Sequence, residues 1–190
     1  MELTSIGRFT GGRNMGGEQK KFSFIPVTDV TDIPFYEGDN LEEAIVLAAG
    51  KEWLTAVAVT DTVQLTEKPV GEAGNPIGYE VTLEGEFAKS RLTLLHTMHR
   101  MEGKRFFVLA KDNNGYTRLL GNTEKDRNGV YKGLKFTAPF DSGKTVASRN
   151  SHAFRFAGQQ AVRAPFYFLD DVDTESDYVE SDYWDEDYCE

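Results

Sequence analysis

Cysteine is almost missing from this chain: the one thiol is Cys189, next to the last residue. Its isolation excludes a disulfide within the molecule and any metal centre built on cysteines, and it fits a reducing compartment. Histidine is nearly as scarce, with only His96, His99 and His152. His96 and His99 stand three residues apart, so a helix would turn both imidazoles to one side. With a carboxylate they could hold zinc, but the HExxH spacing is missing. There is no Gly-x-Ser-x-Gly elbow, and Cys189 lies among carboxylates, a setting that works against a thiolate nucleophile. The carboxylate pairs of the body are scattered, and none forms an evident acid/base dyad. The chain is therefore expected to have no catalytic, cofactor-binding or metal-binding residue, and not to be an enzyme. Long apolar runs are missing too: none approaches the roughly 20 residues of a membrane span. The opening "MELTSIGRFTGGRNMGG" has no basic start followed by an apolar stretch. The expectation is a soluble protein made in the cytoplasm, with no membrane partner.

The third scarcity is local. From Asp170 to Glu190 there is no Lys or Arg, while eleven acids fall there (170, 171, 173, 175, 177, 180, 182, 185, 186, 187, 190). Of 31 acids and 21 bases in the chain, residues 1–169 thus keep 20 acids against 21 bases. The formal charge of -10 belongs to the end segment. A near-neutral body argues against a dedicated nucleic-acid binder, while the acidic segment can seek cationic partners. The segment also carries Tyr178, Tyr183, Trp184 and Tyr188. Aromatics of that kind can anchor a strand or turn while the acids face basic groups or solvent, so a docking extension is a better reading than a solubility tag.

Three parts are expected: a Gly-rich arm over 1–20, a β-rich domain over 21–169, and an acidic aromatic extension over 170–190. Five glycines between residues 7 and 17 favour a flexible arm, and their spacing is not that of a dinucleotide-binding fold. Alternation at Phe22 and Phe24 predicts a strand before Pro26. In "DNLEEAIVLAAGKEW", Asp39 with Glu42 resembles a capping box, and Gly50 a stop, so a short helix is predicted there. Ala44, Ile45, Leu47 and Ala48 would form its apolar face, although so apolar a stretch also suits a buried strand. "WLTAVAVTDTVQLT" is β-rich, and "YEVTLEGEF" predicts a strand with Tyr79, Val81 and Leu83 on one side. A second helix is predicted in "KSRLTLLHTMHRM", with Leu92, Leu95, Met98 and Met101 at helical spacing and Gly103 as stop. "RFFVLAKDNNGYTRLLGN" is a hairpin turning at Asn114-Gly115. "GVYKGLKFTAPF", "HAFRFAGQ" and "APFYFL" predict further strands. About seven strands and two short helices make a mainly antiparallel β-sandwich or barrel with one or two flanking helices.

"DSGKT" (141–145) contains the Gly-Lys-Thr of a phosphate loop, but position 138 is alanine where that motif needs glycine, and it sits between strands; a hairpin loop is the better reading. Phe106, Phe107, Phe154, Phe156, Phe166, Tyr167 and Phe168 could form a base-stacking platform, but Lys104, Arg105, Lys111, Arg118, Lys132, Lys135, Arg155 and Arg163 are dispersed among apolar residues. Core packing is the better account of these aromatics.

The stretch from about Tyr79 to Phe168, carried by "KRFFVLAKDNNGYTRLLGN" and "GLKFTAPFDSGKTVASRNSHAFRFAGQQAVRAPFYF", resembles structural proteins of tailed bacteriophages and prophages, particularly those of Bacteroidetes hosts. The resemblance implies a tail-tube-like subunit. It would be a virion protein made in the host cytoplasm, a β-sandwich with a flanking helix, assembling with copies of itself into stacked, usually hexameric, rings. Partners would be other tail or neck proteins, with DNA a transient passenger in the lumen and no cofactor. Contacts between subunits are expected in the 1–20 arm (Phe9, Arg13, Asn14), in loops at 66–78 and 139–151 (Asp141, Lys144, Arg149), and at Tyr178, Tyr183, Trp184 and Tyr188. Two other readings stand beside it: a ring-forming neck component, either a tail terminator or a head-tail connector, and an inhibitor whose acidic segment mimics DNA before a host nucleic-acid-binding enzyme.

Overall fold

The computed structural model describes residues 16–36, 38–72, 75–88, 92–141 and 151–168. These residues form a mainly β fold with one α-helix. In chain order the elements are β1 (Glu18–Pro26), β2 (Val30–Asp32), β3 (Asn40–Leu41), β4 (Val46–Leu47), β5 (Leu54–Val57), β6 (Gln64–Glu72) and β7 (Asn75–Ala88). Then come α1 (Leu92–Met101), β8 (Arg105–Asp112), β9 (Thr117–Leu120), β10 (Asn122–Lys125), β11 (Tyr131–Lys132), β12 (Leu134–Thr137), β13 (Phe140–Asp141), β14 (Ser151–Gln160) and β15 (Phe166–Tyr167). β1 takes in the last three residues of the stretch read as an arm.

Strand β8 is the branch point. One of its edges pairs along β1, from Glu18 opposite Asp112 to Pro26 opposite Phe106. Its other edge is shared, with β9 on its C-terminal half and β12 at its start. From β12 the ladder continues through β14 and β7 to β6; from β9 it continues through β15 to β3. All pairs are antiparallel except β15 with β3. Residues 58–63, between β5 and β6, bring the two margins of the longer branch together. The Ala58 amide donates to Lys20 O at 2.7 Å and the Glu18 amide to Val63 O at 3.3 Å across this link, and the Val59 amide donates to Glu86 O at 2.7 Å. The wall β1–β8–β12–β14–β7 thereby closes on itself as a barrel.

The interior of that barrel is phenylalanine. Alternate residues of each strand point inward: Phe22 and Phe24, Phe106 and Val108, Phe136, Phe154 and Phe156, Val81, Leu83 and Phe87. Rings from different strands meet across the centre, Phe22 with Phe154 at 5.1 Å and Phe136 with Phe156 at 4.9 Å between centroids. Such aromatic pairs add about 0.5–1.5 kcal/mol each beyond area burial. Helix α1 plugs one end with Met98, helped by Leu94 and Met101. The second helix expectation is met in position and half met in face: Met98 and Met101 pack inward, but Leu92 is 84% exposed and Leu95 41%. Gly103 ends it with φ +75°.

The other face of the β1–β8–β9 wall carries Ile25, Phe107, Leu109 and Leu119 and is covered by residues 27–47 with Tyr131 and Tyr167. The helix predicted at 39–50 is not formed. Leu41 lies in β3 and Val46–Leu47 in β4, and Leu41 and Ile45 are buried in this second core. The Asp39 carbonyl accepts from Phe166 N at 2.7 Å, so the would-be cap is spent on β15. Non-local pairing has overridden the local helix pattern. A polar tie fastens this layer: Asp32 accepts from Lys125 Nζ at 3.1 Å and Tyr131 OH at 3.0 Å, and Tyr131 OH accepts from Ile33 N at 2.8 Å. The Lys125 bond, with that of Tyr131, holds the Asp32 carboxyl below its usual range.

The aromatic reading is largely met. Phe106, Phe107, Phe154, Phe156 and Tyr167 are buried, whereas Phe168 is 52% exposed. Where β12 crosses the start of β8, Gly133 lies against the chain: a Cβ there would fall inside contact distance of the Phe106 carbonyl oxygen and of Val27. Backbone cannot retreat as a side chain can. Gly133→Ala is expected to cost about 3 kcal/mol, measured by urea unfolding; a loss below roughly 0.5 kcal/mol, the ordinary range for surface changes, would contradict the close crossing.

Candidate functional site

The strand directions give the barrel two unlike ends. β8, β14 and β15 run the same way, and β1, β7, β9 and β12 run against them. One end therefore gathers the β8–β9 turn, the start of β1, the β6–β7 hairpin and the chain leaving β15. The other gathers α1 and the β12–β14 connection.

At the first end the "DNNG" turn forms as predicted. Asp112 Oδ1 accepts from Asn114 N at 2.9 Å and Tyr116 N at 2.8 Å, and Gly115 has φ +95°. The turn also grips the incoming chain: Asn113 N donates to Gly17 O at 3.2 Å, and Asn113 Nδ2 to Gly16 O at 2.8 Å. Gln19 Nε2 donates to the Asp112 carbonyl at 3.3 Å. The N-terminal segment is thus fastened where it enters β1.

Beside this grip is an open cleft of about 310 Å³ lined by Glu18, Leu65, Glu67, Asp112 and Arg118. Arg118 and Glu67 are tied at 3.3 Å, and the second Glu67 oxygen accepts from Ala164 N at 2.8 Å. The Arg118 guanidinium also lies 4.5 Å from the centre of the Phe166 ring. These contacts tie the β6–β7 hairpin to β9 and β15. Glu18 is left as the strained member. Burial, and then the negative charge of Asp112, push its carboxyl up to about 7, against the pull of Arg118. The arrangement is a clamp between strands, held by the carboxylate of Glu67 beside the turn that Asp112 closes.

The hairpin itself corrects the sequence reading. Residues 66–72 and 75–78 are strand, not loop: β6 and β7 stay paired from Gln64 opposite Glu84 to Glu72 opposite Asn75. β14 stops at Gln160 opposite Tyr79, so the tip of the hairpin reaches past its neighbour with Ile77 78% exposed. Among the described residues β6 pairs with β7 alone, and Pro69 is tolerated because an edge strand need not donate along its free side.

Of the other expected contact residues, Asp141 is placed by backbone only, in β13 opposite Ser151. Phe9, Arg13, Asn14, Lys144, Arg149, Tyr178, Tyr183, Trp184 and Tyr188 lie outside the described residues, as does the rest of "DSGKT". His96 and His99 are exposed on α1, and His152 is buried in β14 opposite Phe87. Among the described residues no group of three or more His, Cys, Asp or Glu side chains is placed to hold a metal ion, and no helix is long and apolar enough to cross a membrane. The Glu18–Glu67–Arg118 cluster was missed from sequence. Its one legible trace was the Asp112 turn, which fixes one wall of the cleft. Comparison with protein-family models, curated proteins and solved structures finds no match.

A carboxyl with a raised folded pKa binds its proton more tightly in the folded state than in the unfolded state. Glu18 therefore detracts from stability above about 7, and that penalty fades as pH falls toward 4.5. Glu18→Gln is expected to stabilise the protein at pH 8, by on the order of 1 kcal/mol after allowance for solvent screening, and to change little at pH 4. Thermal melts of both proteins across pH 4–8 check this; an equal gain at both ends would show that the carboxyl charge is not responsible.

Proposed function

We propose that the chain is a structural subunit of a phage tail, a tail-tube protein whose copies form stacked hexameric rings around a channel for DNA. The observation that carries the reading is the collection at one end of the barrel of everything suited to reach a neighbour. Among the described residues the β6–β7 hairpin projects there with one edge that pairs with no further strand and with Ile77 exposed, and Gly16 and the end of β15 lie at the same end. A free strand edge is a template for pairing with another chain, a liability in a monomer and a joint in an assembly. Joining this end to a different surface of the next copy is a heterologous contact, the kind that builds rings and filaments. The aromatic barrel supplies a rigid body, and in the cleft beside the hairpin the Glu67–Arg118 ion pair braces it.

A ring-forming neck component, a tail terminator or a head-tail connector, shares most of these features and differs in not polymerising. Light scattering and negative-stain imaging of purified protein separate the cases. Rings that stack into tubes are expected. Ile77→Asp should weaken their formation about tenfold or more, as loss of a central apolar contact does, with unchanged far-UV circular dichroism. Rings that never stack would favour the neck component, and a persistent monomer at high concentration would overturn assembly altogether.

A further inference from the structure

The end of the barrel opposite the hairpin holds an unbalanced charge. Arg105 and Lys135 stand directly opposite each other across the β8–β12 ladder, a like-charge pair that costs stability unless an anion lies near. Lys104 precedes them and Arg100 lies on the last turn of α1, and all four are exposed. Arg105 donates to the Gly133 carbonyl at 3.0 Å, but the ion pairs of the described residues involve none of the four. Glu102 is the one acid in the connection between α1 and β8. At the same end of the barrel, α1 bares Leu92, 84% exposed, and Leu95, 41% exposed. Exposed apolar side chains and cations outside any ion pair, gathered at one end, suit a partner that is both aromatic and acidic.

Such a segment exists in the same chain. Residues 170–190 carry eleven acids, no Lys or Arg, and Tyr178, Tyr183, Trp184 and Tyr188. They follow β15, which lies antiparallel to β9 and so points its chain toward the β8–β9 turn, away from α1. In a head-to-tail stack that end meets the helix end of the next copy. From Leu169 onward 22 residues remain, able to span about 70 Å at roughly 3.3 Å each.

We infer that residues 170–190 of one copy dock on the helix end of the next, acids against Arg100, Lys104, Arg105 and Lys135, aromatics against Leu92 and Leu95. This rests on the assembly reading and assigns that assembly a polarity. The contact is electrostatic in large part, so it loosens at roughly 1 M salt, where the Debye length is about 3 Å.

Mixing unlabelled and ¹⁵N-labelled full-length chains and coupling carboxylates to amines with a carbodiimide tests it. Mixed-isotope peptide pairs joining 170–190 to Lys104 or Lys135 are expected, with several-fold lower yield in high salt. The double variant Leu92→Ser/Arg100→Glu keeps both lysines, alters only exposed side chains, and should lose most of the links while retaining its circular dichroism. Links confined to a single chain, or a yield indifferent to that variant, would overturn the inference. Imaging the same samples keeps the two ideas apart. Rings or tubes without such links remove the docking and leave assembly standing; mixed links without rings or tubes uphold the docking and remove the tube.

Discussion

Everything in this fold hangs on the ladder between β1 and β8. Its alternating side chains serve two interiors at once: Phe22, Phe24, Phe106 and Val108 fill the barrel, while Ile25, Phe107 and Leu109 carry the outer layer. From Phe106 to Ala110 β8 is an unbroken apolar run because both its faces are buried there, which is unusual for an antiparallel sheet with one wet side. Slipping the register by one residue would exchange the two sets and spoil both cores together. The pairing also carries the Gly16–Gly17 segment to the 112–116 turn and leads β8 out of α1. The placement of both ends of the molecule follows from it.

That placement links packing to the proposed activity. Strand polarity sends the hairpin, the N-terminal segment and the chain after β15 out of one end, and sets α1 with its neighbouring cations at the other. Two unlike ends on a rigid body favour directional contacts between copies over two-fold pairing. The clamp of Glu67 on Arg118 and Ala164 matters in this setting because a projecting hairpin is otherwise a mobile element, and a joint that wavers costs entropy when it docks. Glu18 works the other way, holding a carboxyl in a poor environment at the point where the N-terminal segment enters.

Local signals were legible where local chemistry decides the structure. Asn114-Gly115 fixed the β8–β9 hairpin, Gly103 ended α1, and alternation marked β1, β7 and β14. They misled at 39–50, where Asp39, Glu42 and Gly50 mimic helix caps but Leu41 and Ile45 are required beneath the β1–β8–β9 wall. The apolar face of α1 was half misjudged for a related reason: of Leu92, Leu95, Met98 and Met101, all at helical spacing, the barrel mouth takes Met98 and Met101, with Leu94 in place of the two leucines. The pairing of β6 with β7 hid behind Gly71, Pro76 and Gly78, which read as a loop, whereas Gly71 stands opposite Pro76 at a bulge and Gly78 lies close against Gln160 O. No local pattern announces Glu18 or the Arg105–Lys135 pair, since each is made by residues distant in sequence that meet only through the ladder.

The account stands or falls on β1–β8 as the common wall of both cores. Hydrogen exchange followed by mass spectrometry under native conditions measures this directly, because amides at the centre of the most stable unit open only with global unfolding. Amides of β1 and β8 are expected to exchange last and at one rate, slower than those of the β2–β4 layer and far slower than the tip of the β6–β7 hairpin. A β8 that exchanges ahead of β7 and β14, or a β1 that opens separately from it, would contradict the central place given to this pair.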